Sequence, residues 1–135
     1  MERLILDTTI LVAAERDRLP LDELIGDEDD VAVAAVTAAE LLVGVALADA
    51  RRRTRRADFV EGVLEIVPVE VYDLSVARAH AELLAHTYRT GQPRGAHDLL
   101  IAATALERTR TIVTAEAKGF DGLPGVSVRA PRERG

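Results

Sequence analysis

The chain has 135 residues, with 17 Lys+Arg against 23 Asp+Glu and a formal net charge of −6. That length suits one domain with its own core, and 48% apolar content excludes wholesale disorder. With no cysteine, a disulfide scaffold, a zinc–thiolate site, an iron–sulfur cluster and a thiol nucleophile are excluded, so any metal must sit on oxygen or imidazole ligands.

No run of about 18 apolar residues suggests a membrane span. The opening Met1–Asp7 holds too short an apolar stretch for a signal peptide, so the cytoplasm is the expected location. Only 3% of residues are aromatic and none is Trp, which argues against a base-stacking surface. Charge is uneven: residues 1–50 hold 12 acids and 3 bases, whereas residues 51–135 hold 11 acids and 14 bases. An acidic and a basic cluster on one small domain suit metal-dependent phosphate chemistry, or simply two solvated faces.

In chain order, Leu4-Ile5-Leu6 reads as a buried strand ending at Asp7-Thr8-Thr9, with Ile10–Ala14 as the following helix. Pro20 interrupts, and Leu21–Ile25 suggests a short helix before the polar loop Asp27–Asp30. Val31–Ala34 is a second strand. Thr37-Ala38-Ala39-Glu40 has the form of a capping box, in which Thr oxygen and Glu carboxylate satisfy free backbone N–H groups. Leu41, Leu42 and Val45 belong to the helix it would open. The run Arg51-Arg52-Arg53-Thr54-Arg55-Arg56 lies at the end of that helix or the start of the next, which reads to about Leu64.

Ile66–Val69 suggests a third strand at a sheet edge, because Pro68 lacks a ladder donor. Val76, Ala79, Leu83 and Leu84 recur at helical spacing up to Gly91. Asp98–Leu106 is apolar nearly all round, which predicts a central buried helix. Thr111–Thr114 is a fourth strand, Ala115–Phe120 a short helix or turn, Val126–Val128 a fifth strand, and 131–135 a frayed tail. Short apolar strands alternating with helices predict an α/β domain over 1–130, its parallel sheet covered on both faces.

In open sheets of this kind ligands bind beyond the carboxyl ends of the strands. Asp7 follows the first strand, Glu40 and Asp98 lie near helix starts, and Glu116 stands two residues past the fourth strand. Singly, each acid reads as a helix cap or first-turn acid worth about 1 kcal/mol. Together they are candidates to converge on one sheet edge. At an effective dielectric of ~20, two carboxylates ~4 Å apart repel by about 4 kcal/mol, a cost that a hard divalent cation removes. Such an ion polarises a phosphate and activates a water, so phosphodiester hydrolysis needs no side-chain nucleophile.

These residues resemble the PIN-domain family, and within it the VapC-type ribonuclease toxins of VapBC toxin–antitoxin modules. Leu4-Ile5-Leu6-Asp7-Thr8-Thr9 is similar to the family's opening strand and Asp-Thr-Ser/Thr motif. Val36-Thr37-Ala38-Ala39-Glu40-Leu41 with Gly44 resembles its Thr-x-x-Glu-Leu segment, and Asp98–Ala105 its Asp-x-x-Ile-Ala-Ala helix. Thr111–Phe120 resembles the last conserved segment, with Glu116 in the place of an Asp or Asn. Gly119 departs from the pattern, standing where many members carry an acid; Asp121, just past the Phe, is the alternative fourth acid.

The resemblance implies a three-layer α/β/α sandwich around a short, mainly parallel sheet of four to five strands. It implies a Mg²⁺- or Mn²⁺-dependent endoribonuclease with Asp7, Glu40, Asp98 and Glu116 as metal-holding and catalytic acids, leaving a 5′-phosphate and a 3′-hydroxyl. It also implies a homodimer and a cognate VapB-type antitoxin whose C-terminal segment blocks the acidic site, often with a basic residue. A non-catalytic interaction module on the same fold is the alternative.

Around the acids, Thr9, Thr37 and Thr114 are candidates to orient a carboxylate or a water, each with an ordinary capping or strand-end reading beside it. Arg94, Lys118, Arg51 and Arg52 are candidate RNA phosphate contacts, with a solvated surface as the plain alternative. His80, His86 and His97 do not share a metal-binding spacing, and His97 reads as a bystander of Asp98. A domain that carries phosphate on Asp7 ranks last, because its usual second acid is here Thr9.

Overall fold

Three apolar residues in a row form a strand when both sheet faces are covered, and Leu4, Ile5 and Leu6 are all fully buried. In the computed structural model, which describes residues 1–17 and 28–131, they belong to β1 (Arg3–Leu6). There follow α1 (Thr8–Asp17), β2 (Asp30–Ala34), α2 (Ala35–Leu47), α3 (Ala50–Ile66), β3 (Val69–Glu70), α4 (Leu74–Thr90), α5 (Ala96–Arg108), β4 (Thr111–Val113), a 3₁₀ turn (Ala117–Phe120) and β5 (Val128–Arg129). The helix read at Leu21–Ile25 and most of the tail lie outside the described residues.

All strand pairs are parallel, in the order β3-β2-β1-β4-β5. The chain therefore winds one way from β1 to β3 and the other way from β4 to β5. The topological switch point lies between β1 and β4, where Ile5 pairs with Ile112 and Leu6 with Val113.

Strand side chains alternate between the two faces. Ile5 and Ile112 join Val76 and Leu83 of α4 and Leu99 and Ile101 of α5 in one core. Leu4, Leu6 and Val113 join Leu11 of α1, Leu41 of α2 and Val60 and Val63 of α3 in the other. Helices thus cover both faces in three layers. The central α5 buries Leu99 and every residue from Ile101 to Ala105, as its all-round apolarity predicts. Among the described residues no helix is long and apolar enough to cross a membrane.

Local sequence explains several of the helix ends. Asp49 caps α3 by accepting from the Arg52 N–H at 2.9 Å, which places the arginine run on the first turns of that helix. Asp73 caps α4 in the same way through the Val76 N–H. Gly91 ends α4 in the left-handed region at φ 66°, where a side chain is disfavoured.

Three readings are corrected. The capping box does not form: α2 starts at Ala35, so Thr37 is its third residue and Glu40 its sixth, and Ala34 occupies the cap with no side-chain bond. The third strand is not Ile66–Val69, because α3 runs on to Ile66 and the pairing segment is Val69–Glu70, at the sheet edge. The Pro68 carbonyl still accepts the Val33 N–H at 3.0 Å, so proline costs the edge only a donor. The fifth strand lies at Val128–Arg129 rather than Val126–Val128.

Candidate active site

The backbone hydrogen bond from the Asp7 N–H to the Val113 carbonyl, 3.1 Å, carries the β1–β4 pairing to the last residue before the two strands part. Asp7 is thereby held at the switch point, with only 4% of its surface exposed. A buried carboxylate needs donors. Thr9 Oγ1 donates to Asp7 Oδ1 and Thr114 Oγ1 to Asp7 Oδ2, each at 2.5 Å. The Ile10 N–H adds a longer capping bond of 3.4 Å.

Each hydroxyl is itself oriented by a backbone donor. Thr9 Oγ1 accepts from the Ala115 N–H at 3.2 Å, and Thr114 Oγ1 from the Glu116 N–H at 3.0 Å. Since a hydroxyl has one proton, accepting from these amides directs it at Asp7. The strand-to-turn junction after β4 is thus stitched to the junction after β1 through Asp7.

Glu40 arrives from the second turn of α2. Its Oε1 accepts from Thr8 Oγ1 at 2.9 Å, and its Oε2 lies 3.3 Å from His97 Nδ1. Asp98 sits in the first turn of α5, half-buried, after the Gly95 cap. Burial pushes its carboxyl above the usual range, and the charges of Asp7, Glu40 and Glu116 push it further. The four acids of different elements therefore share one electrostatic neighbourhood. Among the described residues, neither lysine nor arginine forms an ion pair with any of them.

Asp98 Oδ2 rests against two glycines. A methyl carbon built on Gly119 would lie 2.7 Å from it, and one built on Gly95 3.4 Å. These glycines, Asp98 and Glu116 line a cavity of about 650 Å³ together with Arg94 and Lys118. Two nitrogens of the Arg94 guanidinium donate to the backbone carbonyls of Lys118 and Asp121. Arg94, a candidate phosphate contact with a surface-turn alternative, thus ties the loop before α5 to the 3₁₀ turn.

Thr37 is fully buried, and its Oγ1 has no hydrogen-bond partner. It makes no bond to Glu40, so the orienting role proposed for it is not formed here. Asp121 is exposed and is not among the charges acting on Asp98, whereas Glu116 is. Arg51 and Arg52 lie on exposed turns of α3.

Sequence reading missed Thr8 and the glycine pair, and it read His97 as a bystander of Asp98, whereas His97 Nδ1 faces Glu40. Thr8 was legible in principle: consecutive residues on a helix point about 100° apart, so Thr8 and Thr9 must serve different partners. The His97–Glu40 contact and the approach of Gly119 to Asp98 had no such signal, because they join residues far apart in the chain.

The donor set is all carboxylate oxygen, which fits Mg²⁺ or Mn²⁺ and no soft metal. The mutual repulsion raising Asp98 is what a divalent cation relieves. Among the described residues no three acidic or histidine side chains stand close enough together to hold an ion as they are placed.

Residues 4–125 match the model of the PIN domain. This chain belongs to the PIN domain family. The PIN domain is 35% identical to ribonuclease VapC5 of Mycobacterium tuberculosis over 92% of each chain. Its fold matches the crystal structure of VapBC-5 from that organism with TM-score 0.74 and 31% identity, over 98% of this chain and 100% of that one. A chain in the crystal structure of VapBC2 from Rickettsia felis, bound to a DNA fragment from their promoter, superposes with TM-score 0.85 at 23% identity, over 96% of this chain and 99% of that one. The PIN fold explains why acids so distant in sequence come near one another: Asp7, Glu40 and Glu116 follow β1, β2 and β4 at one edge of the parallel sheet, and Asp98 reaches the same edge from the first turn of α5, which follows α4.

Proposed function

We propose that this PIN domain, acting as a single unit over residues 1–130, is a divalent-metal-dependent endoribonuclease and the toxin of a VapBC-type toxin–antitoxin pair. The observation that carries the reading is that Asp7, Glu40 and Glu116 act electrostatically on Asp98 near the switch point, with no lysine or arginine among the described residues ion-paired to any of the four. Similarity to a ribonuclease named VapC5 supports the substrate class, and similarity to chains of VapBC structures supports the partner.

Asp7, Glu40 and Asp98 are the residues to hold the ion, with Glu116 completing the set. A bound Mg²⁺ or Mn²⁺ supplies charge neutralisation at the phosphate and acidifies a water for attack on phosphorus. The chain's own part is to hold oxygen donors rigidly. Thr9 and Thr114 lock the Asp7 carboxylate from both sides, and Thr8 and His97 hold the two oxygens of Glu40. Glu116 is exposed at the cavity and is the acid free to orient a water. Lys118, exposed on the same cavity, is placed to meet an RNA phosphate. A VapB-type antitoxin presenting a basic residue satisfies the same acids and blocks the site, and a homodimer completes the reading.

The test is cleavage of total cellular RNA by the purified protein, free of antitoxin, in Mg²⁺, in Mn²⁺ and in EDTA, with Asp98→Asn alongside. Discrete fragments that require metal and vanish in the variant are the expected result. Intact RNA in every lane from folded protein refutes the nuclease and favours an interaction module.

A further inference from the structure

We propose that Arg52, Arg55 and Arg56 of α3, with Phe59 beneath them, form a second site on this chain, a subsite for a phosphodiester of a bound RNA outside the acidic centre. These residues and Ala14 and Glu15 of α1 line a cavity of about 390 Å³. They stand at i, i+3, i+4 and i+7, so they share one face of α3. On most helices that stripe is apolar and faces the core; here three of its four places are cationic. Like charges at such spacing destabilise a helix, and an anion seated between them reverses that cost.

The structure sorts the arginine run by role. Arg53 is occupied with the Ala48 carbonyl at 2.8 Å. Arg56 is fixed by Glu15 at 2.9 Å and reaches the Gly44 carbonyl at 3.4 Å, so it forms the rigid wall of the cavity. Arg52 and Arg55 are exposed, and among the described residues neither guanidinium has a hydrogen bond or an ion pair. Their planar forks match the paired non-bridging oxygens of a phosphodiester.

The site stands at a workable distance from the acids. Glu15 follows Thr8, the partner of Glu40, by seven residues on α1, about 10 Å along the helix. Gly44, which holds Arg56, follows Glu40 by one turn on α2. Thus α1, whose Thr8 bonds Glu40, lines the pocket through Ala14 and Glu15, and α2, which carries Glu40, accepts from its Arg56 through the Gly44 carbonyl. A polyanion is the fitting ligand. Among the described residues the ion pair made by the run is that of Arg56 with Glu15, so one further carboxylate from a protein partner leaves most of the five charges uncompensated.

The proposal rests on the nuclease reading for the identity of the polyanion, and its test is independent of cleavage. A fluorescein-labelled 12-nucleotide single-stranded RNA of mixed sequence is titrated in EDTA, at several NaCl concentrations, with wild type, Arg52→Glu/Arg55→Glu and the charge-matched control Arg78→Glu/Arg89→Glu. The pocket variant is expected to bind at least ten-fold more weakly at 100 mM NaCl, with the slope of log affinity against log salt reduced by about 0.7 per lost phosphate contact. The control is expected to keep most of its affinity, and circular dichroism checks that both variants fold. Unchanged binding in the pocket variant overturns the proposal. Equal losses in both variants also overturn it, reducing the effect to net charge. An oligo-aspartate peptide run in parallel must bind wild type more weakly than the RNA; if only the peptide depends on Arg52 and Arg55, the pocket belongs to a protein partner. Loss of RNA binding in a protein that cleaves nothing with any metal leaves the subsite standing and removes the nuclease.

Discussion

The backbone of Gly119 faces the carboxylate of Asp98 so closely that a methyl carbon there would stand 2.7 Å from Oδ2. At the place where the resemblance leads one to expect an acid, this chain carries no side chain, and the space is filled by the acid of another element. Gly119 is therefore a packing requirement of Asp98.

Gly119→Ala is expected to swing the Asp98 carboxylate out of its cleft. Gly119 does not lie in the left-handed region, so alanine strains no backbone. Metal-dependent cleavage is expected to fall by roughly 10–100-fold, the scale of a misplacement of about 1 Å, while the melting temperature stays within a few degrees. Kinetics and a thermal melt on the same sample check it; unaltered cleavage refutes the positioning role.

Thr114→Val removes the donor to Asp7 Oδ2 and the acceptor of the Glu116 N–H at nearly constant volume. Because Thr114 and Asp7 are both buried, the lost partner is expected to cost about 1–3 kcal/mol of unfolding free energy, with Thr114→Ser recovering much of it. Urea denaturation of the three proteins measures this.

Asp98 links the site to pH. Burial and the neighbouring acids raise its carboxyl in the folded state, so folding binds a proton more tightly than the unfolded chain does. Its contribution to stability is fully present below the unfolded carboxylate range and is lost as pH rises through the raised folded value. Metal-free protein at pH 7 is thus expected to gain from Asp98→Asn, by at most about 1 kcal/mol after solvent screening, or roughly 3–4 °C. Millimolar Mn²⁺ is expected to raise the melting temperature of wild type and not of the variant. Differential scanning fluorimetry with and without Mn²⁺ reads both.

Arg110 presents a different kind of charge. Its side chain is 7% exposed, paired with Asp30 at 3.1 Å and Glu70 at 3.2 Å, and it donates to the Leu4 and Asp30 carbonyls. One cation thereby joins β1, β2 and β3. Arg110→Ala leaves two acids and two carbonyls without it and is expected to cost about 3–5 kcal/mol, measurable by urea denaturation; a loss under 1 kcal/mol refutes this role.

Much of this protein is legible residue by residue. The runs at Leu4–Leu6 and Val31–Ala34, the apolar helix after Asp98 and the stop at Gly91 follow from periodicity and local backbone preference, which act over a few residues. The candidate acids follow as well, because an acid beside a strand or helix end is visible as such. Where local signals compete, reading fails. Thr37–Glu40 has a capping sequence, yet α2 is capped three residues earlier, at Ala34, since β2 runs directly into the helix and the buried face of Thr37 and Leu41 sets its phase.

The linear chain determines that short apolar strands are separated by helices, that acids lie near strand and helix ends and that arginines crowd one helix boundary. Only the tertiary structure decides which of them meet. Asp7 and Thr114 are 107 residues apart, and their bond exists because β1 and β4 are neighbours at the switch point. Strand order, unlike strand identity, is set by packing energies summed over both faces of the sheet. No local window of sequence contains that sum.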